Sequence, residues 1–145
     1  MHRTITLSEY VKKRNGVALG EPGSMVNMLK RSLGAGSFYL FWQYWNPIWG
    51  YYLSRNIMKP LSKRLPLWLA IILTFAVSGA LHDLAITLVK WQLTFFFTPW
   101  FSIMGIIVLV TKKFAISYGE HHWLIRALIN LSLIAVSLIL TRQYA

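Results

Sequence analysis

Along the 145 residues, polar and apolar positions alternate in long blocks rather than residue by residue. Residues 1–36 are polar and basic, punctuated by Gly16, Gly20, Pro22, Gly23, Gly34 and Gly36. Short amphipathic pieces fit around Leu7–Val11 and Met25–Leu33, and we read the stretch as a basic interfacial arm rather than a packed unit. The next block, "FYLFWQYWNPIWGYYL" at residues 38–53, holds nine aromatics in sixteen positions. A spanning helix needs about 20 residues, so this block predicts a re-entrant or interfacial segment divided by Pro47. "SRNIMKPLSKRLP" follows as a basic collar carrying Arg55, Lys59, Lys63 and Arg64.

Three apolar runs then predict spans at about 67–89, 93–110 and 123–140, the second kinked where Pro99 removes a backbone donor. The fold class is all-α integral membrane: about three transmembrane helices, an aromatic re-entrant or interfacial helix, and a basic N-terminal arm. Two parts follow, residues 1–36 as the arm and 37–145 as the membrane core. Composition agrees, with 56% hydrophobic and 13% charged residues against about 25% charged in soluble domains. The first sixteen residues lack the continuous apolar run of a secretory signal.

Charge fixes an orientation. The formal net charge is +11, which in a soluble chain suggests nucleic acid. Here the basic residues lie outside the apolar runs, which suits anionic lipid or an anionic co-substrate, and no nucleic acid is expected. Ten Lys and Arg precede Leu67, one lies between the first two runs, and Lys112 and Lys113 follow the second. That distribution places the collar at residues 55–64 in the cytoplasm and the C-terminus on the opposite side of a multi-pass protein.

Within the first span sits "SGALHDLA", residues 78–85. A titratable side chain at membrane depth is costly and marks a candidate site. Thr74, Ser78 and His82 recur every four residues and share one helix face, with Asp83 and Thr87 on an adjoining line. Small Ser78, Gly79 and Ala80 leave room beside the imidazole. One reading is helix packing through small and polar residues; the other is acid–base chemistry, with a neutral imidazole taking a proton from a hydroxyl. Asp83 points elsewhere on a regular helix, which suits a polar contact with another helix or with the collar. In "WNP", Asn46 and Pro47 carry the signature of a helix start. The adjacent histidines of "GEHHW" diverge and have no third ligand at a known spacing, so no metal is expected. Asn130 and Ser137 share a side of the third span and suit either the groove or a subunit contact. With no cysteine in the chain, an acyl-cysteine intermediate is excluded.

Taken together, "FWQYWNPIWGYYLSRNIMKPL" and "TFAVSGALHDL" resemble the core of the membrane-bound O-acyltransferase family, which pairs an Asn in an aromatic, basic segment with a His in a membrane helix. The matching positions are Trp45–Asn46, Ser78–Gly79 and His82–Asp83, with 36 residues from Asn46 to His82. The resemblance covers roughly residues 37–95. It implies transfer of an acyl group from a thioester donor, usually acyl-CoA acting as co-substrate with no permanently bound cofactor, to a hydroxyl on a lipid, polysaccharide or protein. His82 would be the base and Asn46 its partner. Trp45, Ser78, Thr74, Asp83, Arg55 and Lys59 would line the substrate or donor pocket. Family members commonly have eight or more spans. A chain with three therefore points to membrane lipids plus a homo-oligomer or partner membrane subunit completing the walls. The alternative is a non-catalytic membrane subunit, or degenerate remnant, serving helix assembly.

Overall fold

The computed structural model describes residues 3–144, which form helices and no strands. Helix α1 spans Leu7–Asn15 and opens on a capping box: the Glu9 N–H donates to the Thr6 hydroxyl at 3.3 Å, and the Thr6 N–H donates to the Glu9 carboxylate at 3.0 Å. Gly16, at φ 81°, ends it in the left-handed region that glycine enters without strain. After Gly23, α2 runs Ser24–Leu33. Helix α3 (Phe38–Tyr44) is capped by the Ser37 hydroxyl, and α4 (Pro47–Leu53) begins directly after Asn46. Pro47 therefore divides the aromatic segment as the sequence predicts.

Helix α4 continues through a π-helical turn, Ser54–Met58, into the short α5, Lys59–Ser62. In the wide turn the Lys59 N–H reaches back to the Ser54 carbonyl. The widening falls immediately before Pro60, whose ring in a regular helix would strike the carbonyl four residues earlier.

Helices α6 (Leu67–Lys90) and α8 (Trp123–Tyr144) are long and apolar enough to cross a membrane, at 24 and 22 residues. Between them α7 covers Phe97–Lys113, 17 residues. The middle run therefore differs from the expected 93–110. Its helix starts four residues later and ends three later, and at about 26 Å it falls short of a hydrocarbon layer of about 30 Å. The cause is local. Trp91, at φ 54°, closes α6 in the left-handed region, and residues 92–96 form a connection whose Thr94 N–H donates to Thr87 Oγ1 at 3.0 Å.

The aromatic segment does not lie on the surface along its whole length. Phe38 and Phe41 of α3 are buried in the core with Ala35, Met104 and Val108, against Phe75, Trp100, Leu133 and Ile134. The arm also departs from expectation, because α1 rests on α4 while α2 rests on α3 and α8. Asn15 Nδ2 donates to the Ser24 carbonyl at 3.0 Å, Asn27 Nδ2 donates to the Asn15 carbonyl at 3.1 Å, and Val11 and Ser32 are buried. Those amide bonds tie α1 to α2. The arm is joined to the other helices by buried Val11, by Leu33 against the core, and by bonds from the Tyr51 hydroxyl to the Ile5 carbonyl (3.3 Å) and from Trp123 Nε1 to the Lys30 carbonyl (3.0 Å).

Asn130 and Ser137 serve packing, not a groove or subunit contact. Asn130 is fully buried and its Nδ2 donates to the carbonyls of Leu33 (2.8 Å) and Ala35 (3.1 Å), while the Tyr118 hydroxyl donates to its Oδ1. Ser137 Oγ accepts from Trp100 Nε1 at 2.9 Å, joining α7 to α8. Burial pushes the Tyr118 hydroxyl, in the α7–α8 connection, up to about 12.

Candidate functional site

Ser78, Gly79 and Asp83 of "SGALHD" each have a distinct packing task. Ser78 is buried and its hydroxyl accepts from Trp49 Nε1 at 2.9 Å, tying α6 to the first turn of α4. Gly79 marks the place where α6 meets the start of α7. A Cβ there would stand 2.4 Å from the Phe97 carbonyl oxygen and 2.8 Å from Thr98 Cα, both backbone atoms that cannot swing aside.

Asp83, only 5% exposed, reaches across to cap α7. Its Oδ1 accepts from the N–H groups of Phe96 (2.9 Å) and Phe97 (2.8 Å), and its Oδ2 from the Thr98 N–H (2.8 Å) and hydroxyl (2.7 Å). The carboxylate thus satisfies backbone donors that a helix start leaves unpaired and lies at the positive end of the helix dipole. This is the polar contact with another helix that the sequence suggested. Both carboxylate oxygens are engaged, so Asp83 does not present a free oxygen to a substrate pocket. Thr74 is similarly engaged, its hydroxyl donating to the Ala70 carbonyl of its own helix at 2.7 Å and lying 3.7 Å from Met58 Sδ.

His82 is the exception. Its Nδ1 stands 2.7 Å from the Ser78 carbonyl oxygen. A carbonyl only accepts, so this contact requires the proton on Nδ1 and leaves the Nε2 lone pair of the neutral ring free. The ring is placed by aromatic neighbours on two elements: Trp49 edge-on at 6.0 Å between centroids, Phe97 at 5.6 Å and Phe101 at 5.0 Å. It is exposed on its remaining side. Elsewhere on α6, Leu81, Leu84 and Leu88 share a separate exposed face, at 41%, 53% and 61%.

Asn46 takes the left-handed conformation, φ 42°, and caps α4, its Oδ1 accepting from the Trp49 N–H at 3.3 Å. Its own N–H faces Met28 Sδ at 3.3 Å. Among the described residues no hydrogen bond joins Asn46 to His82. Trp49 connects them instead, with its backbone held by Asn46, its indole N–H by Ser78, and its ring against the imidazole. Trp45 stacks on Phe41 at 5.8 Å and 12° rather than on His82. Arg55 donates to the Tyr51 hydroxyl at 2.6 Å, and Lys59, Lys63 and Arg64 are exposed one to two turns further on. None of these four cations is in an ion pair among the described residues.

Trp49, Phe97 and Phe101 were not singled out in the sequence. For Trp49 a signal existed, its position three residues after an N-capping Asn. Phe97 and Phe101 depend on where α7 begins, which Asp83 decides from another helix.

Compared with models of protein families, with curated proteins and with solved structures, the chain matches none.

Proposed function

We propose that the chain is the core of an integral-membrane O-acyltransferase that moves an acyl group from a thioester donor, acyl-CoA by preference, to a hydroxyl acceptor. One observation carries the reading. In a motif whose other polar side chains are occupied by packing, His82 alone keeps a free, accessible lone pair, and its tautomer suits a base. His82 Nε2 removes the acceptor hydroxyl's proton, and the oxygen attacks the thioester carbonyl. The carbon–sulfur bond breaks, and the imidazolium returns the proton to the departing thiolate. Asn46 contributes its Nδ2, the arm of the amide that α4 leaves unbonded, to orient the donor or steady the developing oxyanion. A well-placed donor of that kind contributes about 3–4 kcal/mol to the transition state. The collar of Arg55, Lys59, Lys63 and Arg64 faces the cytoplasm in this reading and attracts the anionic donor, with the acceptor, a lipid, polysaccharide or protein hydroxyl, arriving from the other side.

The exposed flank of Leu81, Leu84 and Leu88 favours a second reading, a membrane subunit that becomes complete only beside another helix or a second copy. Transfer from labelled acyl-CoA by purified protein separates the two. His82→Ala and His82→Gln, with helicity checked by circular dichroism, should abolish transfer. Equal activity in the variants would eliminate the acyltransferase reading, and inactivity of the unmodified protein would favour the subunit.

A further inference from the structure

The connection between α6 and α7, residues 91–96, carries its apolar side chains outward. Trp91, Leu93 and Phe95 are 91%, 88% and 71% exposed, and Val89 in the last turn of α6 is exposed beside them. A cluster of large apolar side chains standing this free marks contact with a membrane or another protein in preference to water. The polar groups of the same segment are partly turned inward. Thr87 accepts from the Thr94 N–H, and Asp83 accepts from the N–H groups of Phe96, Phe97 and Thr98, so α6 satisfies donors both in the connection and at the helix start that follows. Irregular backbone approaches hydrocarbon only where its polar groups find such partners. The N–H groups of Leu93 and Phe95 have no protein acceptor among the described residues. That sets the depth at the headgroup boundary, where water still reaches them, rather than in the hydrocarbon itself.

Helix lengths point to the same occupant. With Lys112 and Lys113 holding the far end of α7 at the opposite boundary, its 17 residues reach about 26 Å into a layer of about 30 Å. Phe97 then lies inside the layer, and residues 91–96 make up the shortfall. Helices α6 and α7 are antiparallel, Asp83 bonding Thr98 while Phe75 meets Gly105, and α8 is antiparallel to α7, with Trp100 bonding Ser137 and Tyr118 bonding Asn130. The last turns of α6 and α8 therefore share one end of the bundle, and they add exposed Lys90, Arg142 and Tyr144 to the apolar patch. Cations and aromatic side chains around an apolar tip are the composition of a membrane interface. We infer that the α6–α7 connection is a lipid anchor, with Val89, Trp91, Leu93 and Phe95 in the acyl chains of the leaflet opposite the collar and Lys90 and Arg142 at its phosphates. The inference rests on the integral-membrane part of the proposed function and not on acyl transfer. It gives the candidate base a depth, since His82 stands eight residues before Lys90 and so at most about 12 Å below that boundary.

The chain has no cysteine, so one introduced by substitution is the sole site for a thiol-specific spin label. The full chain carrying labelled Leu93→Cys is placed in vesicles of phosphatidylcholine and phosphatidylglycerol, and collisions are read from power saturation of the paramagnetic resonance. The label should meet oxygen, which dissolves in lipid, severalfold more often than a water-soluble nickel chelate. Lys63→Cys, in the exposed collar, should show the reverse, and Leu131→Cys, exposed midway along α8, should favour oxygen at least as strongly as Leu93→Cys. All three positions are exposed, and circular dichroism checks that the helices are intact. A preference for nickel at Leu93→Cys with oxygen preferred at Leu131→Cys would overturn the anchor alone. Shielding of Leu93→Cys from both reagents would assign the patch to a second copy or another membrane subunit, and would overturn it as well. A preference for nickel at both positions would remove the membrane reading itself.

Discussion

Replacing Asp83 with Ala removes the acceptors of four hydrogen bonds at once, from the N–H groups of Phe96, Phe97 and Thr98 and from the Thr98 hydroxyl. An ordinary N-cap contributes about 1 kcal/mol and at most about 2. Here the capping carboxylate is almost wholly buried, and donors left unpaired in such a place cost about 1–3 kcal/mol each when water cannot reach them. Partial rehydration of the connection at residues 91–96 limits the sum, and a loss of about 3 kcal/mol is the expected result. For a chain of this size that lowers the unfolding midpoint by about 10 °C. Thermal unfolding in micelles, followed by tryptophan fluorescence and by far-ultraviolet circular dichroism, measures it. Asp83→Asn keeps one accepting oxygen and should lose less than the Ala variant. A midpoint within about 3 °C of the unmodified protein would refute the capping argument. Loss of acyl transfer with stability intact would return Asp83 to the chemistry.

Other expectations follow from the same contacts. Gly79→Ala places a methyl group against the Phe97 carbonyl and should destabilise by about 1–3 kcal/mol through forced separation of α6 and α7; an unchanged denaturation midpoint would contradict that close approach. Trp49→Phe deletes the bond to Ser78, should lower stability by about 1 kcal/mol, and should reduce transfer more than tenfold by freeing the imidazole, with loss in kcat rather than KM; equal kcat would show that Trp49 does not position His82. Burial raises the Tyr118 hydroxyl to about 12 from 10.0, so the folded state holds that proton where the unfolded chain has released it. Its contribution is complete below pH 10 and declines as pH rises towards 12, and Tyr118→Phe should remove this alkaline component of a stability–pH profile. The Thr6 N–H holds the Glu9 carboxyl below its ordinary value, with Arg3 adding to the effect against slight burial. The capping box of α1 should therefore persist above the unfolded carboxylate pKa and be lost in acid as pH falls through the depressed one, seen as loss of α1 amide protection.

Some of this was legible in the residues. The runs at 67–89 and 123–140 read as helices because each is a long, predominantly apolar stretch, and α6 and α8 extend them by only a few residues. Asn46–Pro47 read as a helix start because the capping amide and the ring act within one turn. What escaped depends on bonds across long stretches of chain. The start of α7 is set by a carboxylate 13 to 15 residues earlier, so a hydropathy pattern put the boundary at 93 instead of 97. The arm is docked by bonds from Tyr51, Trp123 and Asn130, far along the chain, to its backbone carbonyls. At the candidate site, His82 stood out by its cost at membrane depth. Trp49 did not, as one of nine aromatics in its segment, and nothing in its type says which of them reaches α6.

The cap that Asp83 places on α7 also seats Phe97 and Phe101 against the neighbouring His82. The imidazole and two of its flanking rings therefore share one mechanical frame, and sliding α7 away would disengage all three together. Widening the space beside His82 therefore disturbs either this frame or, on the α4 side, the Trp49 indole that bonds Ser78 and faces the imidazole.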